Sequence, residues 1–228
     1  MVTAVFPAAG QGRRMHAGVN KVFLDLMGQP LLVRTLQKFS RSRRIDRLIV
    51  IVGEEELPGT QELLQAVPGL KPFQIVAGGS ERQYSIANGL KALPRECEIV
   101  LVHDAARPLV SVDTIERGVE GAEEIGGAIA AVPEKNTVKS VGEDGIVKET
   151  LPRKMLWEIQ TPQGFRKDIL LDAYRKAAED GFLGTDDASL VERMGVPVKV
   201  VESDYRNIKV TTPEDLLIAE AFLRAEGE

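Results

Sequence analysis

With 228 residues, 43% apolar and 28% charged, the chain is long enough to bury a substantial core and has the composition of an ordinary globular protein. Its net charge of −5 excludes a general nucleic-acid binder, whose footprint is basic, so an anionic ligand must find a local cationic pocket. One cysteine, Cys97, and two histidines, His16 and His103, exclude an intramolecular disulfide, a cysteine-built zinc cluster and a histidine-rich metal site. No apolar run nears the ~18 residues that span a bilayer, and no charged segment followed by an apolar one opens the chain, so a cytoplasmic enzyme with no membrane partner is expected.

Val2 to Phe6 is a short apolar run closed by Pro7 and reads as a buried first strand. Ala8-Ala9-Gly10-Gln11-Gly12 follows, where small residues let backbone amides approach a ligand closely. Such a turn can be no more than a tight connection, but Arg13, Arg14 and Lys21 add cations to the same segment, and amides plus cations make a polyphosphate cradle. It is neither of two familiar phosphate loops. The third glycine of the dinucleotide fingerprint is replaced by Met15, and no G-x-x-x-x-G-K-[ST] string occurs.

Downstream, apolar runs alternate with helix-like segments, the pattern of an α/β fold with a mainly parallel sheet. A helix is predicted from Pro30 through Phe39, a strand over 47–52, a helix near 63–67, a strand over 73–77, and a helix over 81–93 with Ser80 as its N-cap. The unbroken EIVLV run at 98–102 reads as a central strand and ends in His103-Asp104-Ala105-Ala106-Arg107-Pro108. Ligands of open parallel sheets sit beyond the carboxyl ends of the strands, so Asp104 and the first loop should open onto one crevice. After a strand at 127–132, runs at 137–141 and 146–150 flank Gly142-Glu143-Asp144-Gly145 and read as a hairpin. A hairpin is marginal alone, so it packs on something else, a second subunit or, failing that, only solvent on a monomer. A helix over 168–178, another capped by Thr185-Asp186-Asp187-Ala188, a strand over 197–201, a short strand at 207–210 and a helix from Thr212-Pro213 complete the chain. No repeat or flexible linker divides it, so 1–228 is read as one domain with an arm at about 134–154.

Taken in order, PAAGQGRRM with its downstream Lys21, GGSERQYSIANGL, VHDAARP, TPQGF, TDDAS and NIKVTTPEDL resemble the 2-C-methyl-D-erythritol 4-phosphate cytidylyltransferases of the non-mevalonate isoprenoid pathway, over nearly the full length. The resemblance implies a Rossmann-like nucleotidyltransferase fold, transfer of CMP from CTP to a methylerythritol phosphate with release of pyrophosphate, Mg²⁺ as cofactor, and a homodimer whose arms share the active sites. It makes Arg14 and Lys21 the catalytic cations and Asp104 the metal ligand. It assigns the nucleotide to Pro7, Ala8, Ala9, Gly10, Gly12, Gly79, Arg82 and Ser85, and the sugar phosphate to Thr137, Arg153, Thr161 and Lys209. Aligning the arm requires a one-residue length difference between Asp104 and Arg153, which leaves Asn136 as the alternative to Thr137.

The residue types suit that chemistry independently. Nucleotidyl transfer asks a protein mainly to position reactants and neutralise charge. The attacking phosphate, with a second pKa of about 6, is largely ionised near pH 7 and needs no general base. Plainer readings stand beside these: a solvated surface for Arg14, Lys21 and Arg82, a turn cap for Asp104, packing for His103, helix capping for Asp186 and Asp187. The competing functions are a cytidylyltransferase for another polyol phosphate, such as ribitol 5-phosphate, and a nucleotide-binding protein without catalysis.

Overall fold

A computed structural model of the protein describes residues 1–10 and 20–227. The strands run in chain order as β1 (Val2–Pro7), a short pair β2 (Asp25–Leu26) and β3 (Gln29–Pro30), β4 (Arg47–Val52), β5 (Phe73–Ala77), β6 (Ile99–Val102), β7 (Gly127–Pro133), the hairpin β8 (Lys139–Val141) and β9 (Val147–Thr150), β10 (Trp157–Arg166) and β11 (Lys199–Glu202). The helices are α1 (Leu31–Arg41), α2 (Leu57–Gln65), α3 (Arg82–Lys91), α4 (Val112–Ile125), α5 (Lys167–Glu179), α6 (Asp187–Glu192) and α7 (Pro213–Ala225).

Seven strands make one sheet in the order β11-β7-β10-β6-β1-β4-β5. Every neighbouring pair is parallel except those of β10, which runs antiparallel between β6 and β7. Side chains alternate across the sheet. Phe6, Leu48, Val50 and Leu101 pack with residues of α1, α2 and α4 on one face, while Val5, Ile49, Ile51, Val100 and Val102 pack with α3, α5 and α6 on the other. Coverage on both faces explains why these strands are unbroken apolar runs and could be read from the sequence.

Four expectations need correction. The sequence reading contains no strand at 157–166, because Gln160, Pro162 and Gln163 interrupt the apolar pattern and proline argues against a central strand. β10 accommodates Pro162 at a shift in its register with β7 between Ile159 and Gln163, and the Thr161–Pro162 peptide is cis. Its buried polar residues are all bonded: Gln163 donates to Asp186 and accepts from the Ala188 amide, and Gln160 accepts from Asn207. Helix α4 also went unpredicted, although Ser111 caps it and Gly126, at φ 100°, ends it. The N-cap of α3 is Glu81, not Ser80, and no side chain caps it. The run at 207–210 is not a strand: it is an extended segment tied to the β6 loop by the Val210 amide on the Ala106 carbonyl at 2.8 Å.

The hairpin forms as expected, as a two-stranded ladder separate from the main sheet. Both strands are largely exposed, and Val141, Ile146, Val147 and Met155 present apolar surface to solvent.

Candidate active site

Register places the site. Val5 pairs with Val102 and Pro7 with Ile51, so the segments leaving β1 and β6 emerge side by side at their carboxyl ends. They open onto a cleft of about 310 Å³ lined by Pro7, Ala8, Ala9, Gly10, Lys21, Gly79, Arg82, Ser85, Asp104 and Lys209, among others. Gly12 and Arg14 lie outside the described residues.

One wall is backbone. The Ala8 amide donates to the Ile51 carbonyl at 2.7 Å, and Asn20 Nδ2 donates to the Ala8 carbonyl at 2.6 Å. Asn20 is held in turn by Glu56, which also accepts the Gly53 amide, so a buried side chain that the sequence reading passed over fixes the loop exit. Its only sequence signal is its place immediately before Lys21. Opposite, the Gly78-Gly79 turn leans on the loop so closely that a Cβ at position 78 would lie 2.5 Å from that of Ala9. Ser85, inside α3, accepts the Gly79 amide at 2.9 Å and donates to the Glu81 carbonyl at 3.0 Å, and so holds the turn.

The other wall is charged. Asp104 Oδ2 meets Lys209 Nζ at 2.8 Å and Arg107 Nε at 3.7 Å, while Oδ1 meets Arg82 Nε at 3.5 Å. Burial alone would raise the Asp104 carboxyl, but Lys209, Arg82 and Arg107 outweigh it and hold the group well below the usual carboxylate range. Lys21 Nζ donates to the Val210 carbonyl at 2.9 Å, which draws the 207–211 segment and its Lys209 to the loop.

Thr161 sits beneath Asp104 rather than in the cleft lining. Its hydroxyl accepts the Asp104 amide at 3.0 Å and meets His103 Nδ1 at 3.1 Å, while His103 Nε2 meets the Arg107 carbonyl at 3.1 Å. A carbonyl only accepts, so Nε2 carries the proton and Nδ1 accepts from Thr161. Burial drives the imidazole pKa down to about 3 and keeps it neutral. Thr137 and Arg153 are exposed on and beside the arm and do not line this chain's cleft, and Arg153 Nη1 donates to the Lys135 carbonyl at 2.8 Å.

The donor set can hold a divalent cation in one way. Among the described residues no three histidine, cysteine or acidic side chains converge so as to hold a metal ion. Asp104 is one carboxylate, its pKa held low by the cations around it, and Mg²⁺ is commonly held by one or two carboxylates together with substrate phosphates. Asp104 fits that role when a polyphosphate brings the remaining oxygens.

A close-packed backbone wall on one side and cations around a single carboxylate on the other suit a reaction run by positioning and charge neutralisation. Fold and site define a Rossmann-like nucleotidyltransferase. The sequence profile of the 2-C-methyl-D-erythritol 4-phosphate cytidylyltransferases (IspD) matches residues 2–225, and the chain belongs to that family. It is 51% identical over 226 residues to the enzyme of that name from Bacillus cereus (strain ATCC 10987 / NRS 248), covering 99% of both chains. It is 48% identical over 224 residues to that of Caldanaerobacter subterraneus subsp. tengcongensis, covering 98% of this chain and 99% of the relative. The solved structure of 4-diphosphocytidyl-2C-methyl-D-erythritol synthase from Anaerococcus prevotii DSM 20548 superposes with a TM-score of 0.88 at 32% identity, over 98% of this chain and 96% of the other.

Proposed function

We propose that the chain transfers CMP from CTP to 2-C-methyl-D-erythritol 4-phosphate, releasing pyrophosphate and forming 4-diphosphocytidyl-2-C-methyl-D-erythritol. The observation that carries this reading is the meeting of the Pro7–Gly10 backbone, Lys21, Asp104 and Lys209 in one cleft, in a chain of this family. An acceptor phosphate oxygen attacks the α-phosphorus, the bond from that phosphorus to the α,β-bridging oxygen breaks, and pyrophosphate leaves with the electron pair. No side chain need take a proton from a phosphate already ionised. In keeping with that, His103, the one imidazole among the described residues, is buried and neutral.

In this reading the backbone around Ala8, Ala9 and Gly79 and the Ser85 hydroxyl face the cytosine edge, with Ser85 also accepting the Gly79 amide and so holding that turn in place. Lys21, with Arg14, neutralises charge at the α-phosphate and the departing pyrophosphate, and Lys209 faces the acceptor. Mg²⁺ on Asp104, when bound, neutralises triphosphate charge and holds the phosphates in line. The whole chain works as one nucleotidyltransferase domain in the cytoplasm.

We also propose a homodimer in which the arm carries Thr137 and Arg153 to the partner's cleft. The support is that both residues are exposed and neither lines its own cleft, while the arm exposes Val141, Ile146 and Val147. The test of function is pyrophosphate release with CTP and Mg²⁺, using methylerythritol phosphate or ribitol 5-phosphate as acceptor and the other nucleoside triphosphates as controls. Release is expected with CTP and methylerythritol phosphate. Preference for ribitol phosphate, or silence with both, overturns the substrate assignment.

A further inference from the structure

The TDDAS segment holds two neighbouring acids, and only one of them caps a helix. Asp186 is the N-cap of α6, its Oδ1 accepting the Ser189 amide at 2.9 Å. Asp187 is fully buried between α5 and α6 and has no capping bond to explain it. A buried carboxylate is costly unless it is partnered, and an apolar residue of similar size would serve stability at least as well. Its two oxygens are both occupied: Oδ2 accepts Arg82 Nη2 at 2.9 Å, and Oδ1 accepts the hydroxyl of buried Tyr174.

Arg82 opens α3 and lines the cleft, so it stands between two carboxylates. Its hydrogen bond goes to Asp187, while its Nε stops 3.5 Å from Asp104 Oδ1, beyond the usual range for a charged hydrogen bond. The next residue reinforces the link: Gln83 donates to the Phe182 carbonyl at 2.9 Å and accepts the Gly184 amide at 2.9 Å, lacing the first turn of α3 to the segment that leads into α6. With Lys209 already on Oδ2, the oxygen that Arg82 leaves uncovered is Oδ1.

We infer that Asp187, backed by Tyr174, is a positioning residue that holds the Arg82 guanidinium across the cleft floor and keeps it from closing onto Asp104. This rests on the proposed reading of the cleft as a site for CTP with its divalent cation. Without the Asp187 charge, Asp104 is the one carboxylate left paired with Arg82 among the described residues, the guanidinium collapses onto Oδ1, and the cation loses its oxygen.

The test is a double-mutant comparison with a readout independent of turnover. Mg²⁺ is titrated against CTP binding by calorimetry, without acceptor, for the wild type, Asp187→Asn, Tyr174→Phe, Arg82→Ala and Arg82→Ala/Asp187→Asn. Asp187→Asn is expected to raise the half-saturating Mg²⁺ about tenfold, the low end of the loss when an outer partner of a metal site is removed. Tyr174→Phe should raise it about threefold, and Asp187→Asn should add nothing in the Arg82→Ala background. A midpoint unchanged by both single variants, or an equal shift with and without Arg82, overturns the inference. If Asp187→Asn does not fold, Tyr174→Phe carries the same comparison, alone and on Arg82→Ala. In the ligand-free protein, the Arg82 Nε–H signal of ¹⁵N-arginine-labelled enzyme should shift or broaden in both Asp187→Asn and Tyr174→Phe. That second readout separates the two ideas: a wild type that binds no CTP overturns the proposed function, and an unmoved Arg82 signal overturns this one.

Discussion

The contact between Gly78 and Ala9 lets one methyl group test the geometry of the cleft. A Cβ at position 78 would fall 2.5 Å from Ala9 Cβ and 3.1 Å from Ser85 Oγ, whereas ordinary contact begins at 3.4 Å. In Gly78→Ala the two walls must therefore part by about 0.9 Å, the difference between 3.4 and 2.5. Neither wall gives easily, because the Ala8 amide is bonded to Ile51 and the Gly78 amide to Val52. Overpacking of this kind costs about 2 kcal/mol, which for a chain of this length lowers Tm by about 4–8 °C. A displacement near 1 Å at a positioning wall costs about 10²-fold in rate. The assays are thermal unfolding and kcat/KM for CTP in pyrophosphate release. Because Ala9 Cβ is the closest atom, Ala9→Gly in the Gly78→Ala background should recover most of the loss. Unchanged kcat/KM in Gly78→Ala, or failure of Ala9→Gly to restore any of it, refutes the claim that these two walls set the nucleotide site.

Lys21→Ala should lower kcat by about 10²-fold with the fold intact, read by single-turnover kinetics and circular dichroism; near-normal turnover removes Lys21 from the chemistry. His103 is neutral when folded, with its pKa lowered from 6.5 to about 3, so the unfolded chain binds the extra proton and stability is lost as pH falls from about 6.5 toward 3. The loss is at most about 1.4 kcal/mol per pH unit, and urea unfolding of His103→Gln should show a flatter pH dependence in that window. Ile146→Glu, on the exposed face of the arm, should yield a monomer by light scattering that binds CTP but turns over slowly; a dimer of normal activity contradicts arm-shared sites.

What the sequence announced, and what it hid, follows burial. β1 and β4 are covered on both faces, so their apolar runs match the observed bounds closely, while β5, a partly buried edge strand, still shows as a short apolar run. Pro7 to Gly10 and Asp104 could be placed on one crevice because each follows an apolar run that reads as a strand of the parallel sheet. β10 was hidden because its polar residues serve tertiary partners, Asp186, Ala188 and Asn207, that no local pattern reveals. α4 was hidden partly by Gly118 and Gly121, poor helix formers; at 121 a Cβ would lie 2.7 Å from that of Ala128, so the glycine lets helix and sheet approach. Of the two acids in TDDAS, which one caps and which one reaches Arg82 depends on where α3 lies, a fact about packing.

The place of β10 in the sheet also governs how the chain comes together on the ribosome. By Val102 the growing polypeptide already holds β1, β4, β5 and β6, a complete parallel half-sheet whose outer strand, β6, has no neighbour on its far side until β10 arrives. Arg166, the end of β10, is 64 residues later (166 − 102), about 3–13 s of synthesis at 5–20 residues per second. For that interval the Ile-Val-Leu-Val strand lacks its native neighbour on one side, and an unpaired apolar edge of that kind is a site for pairing with other chains.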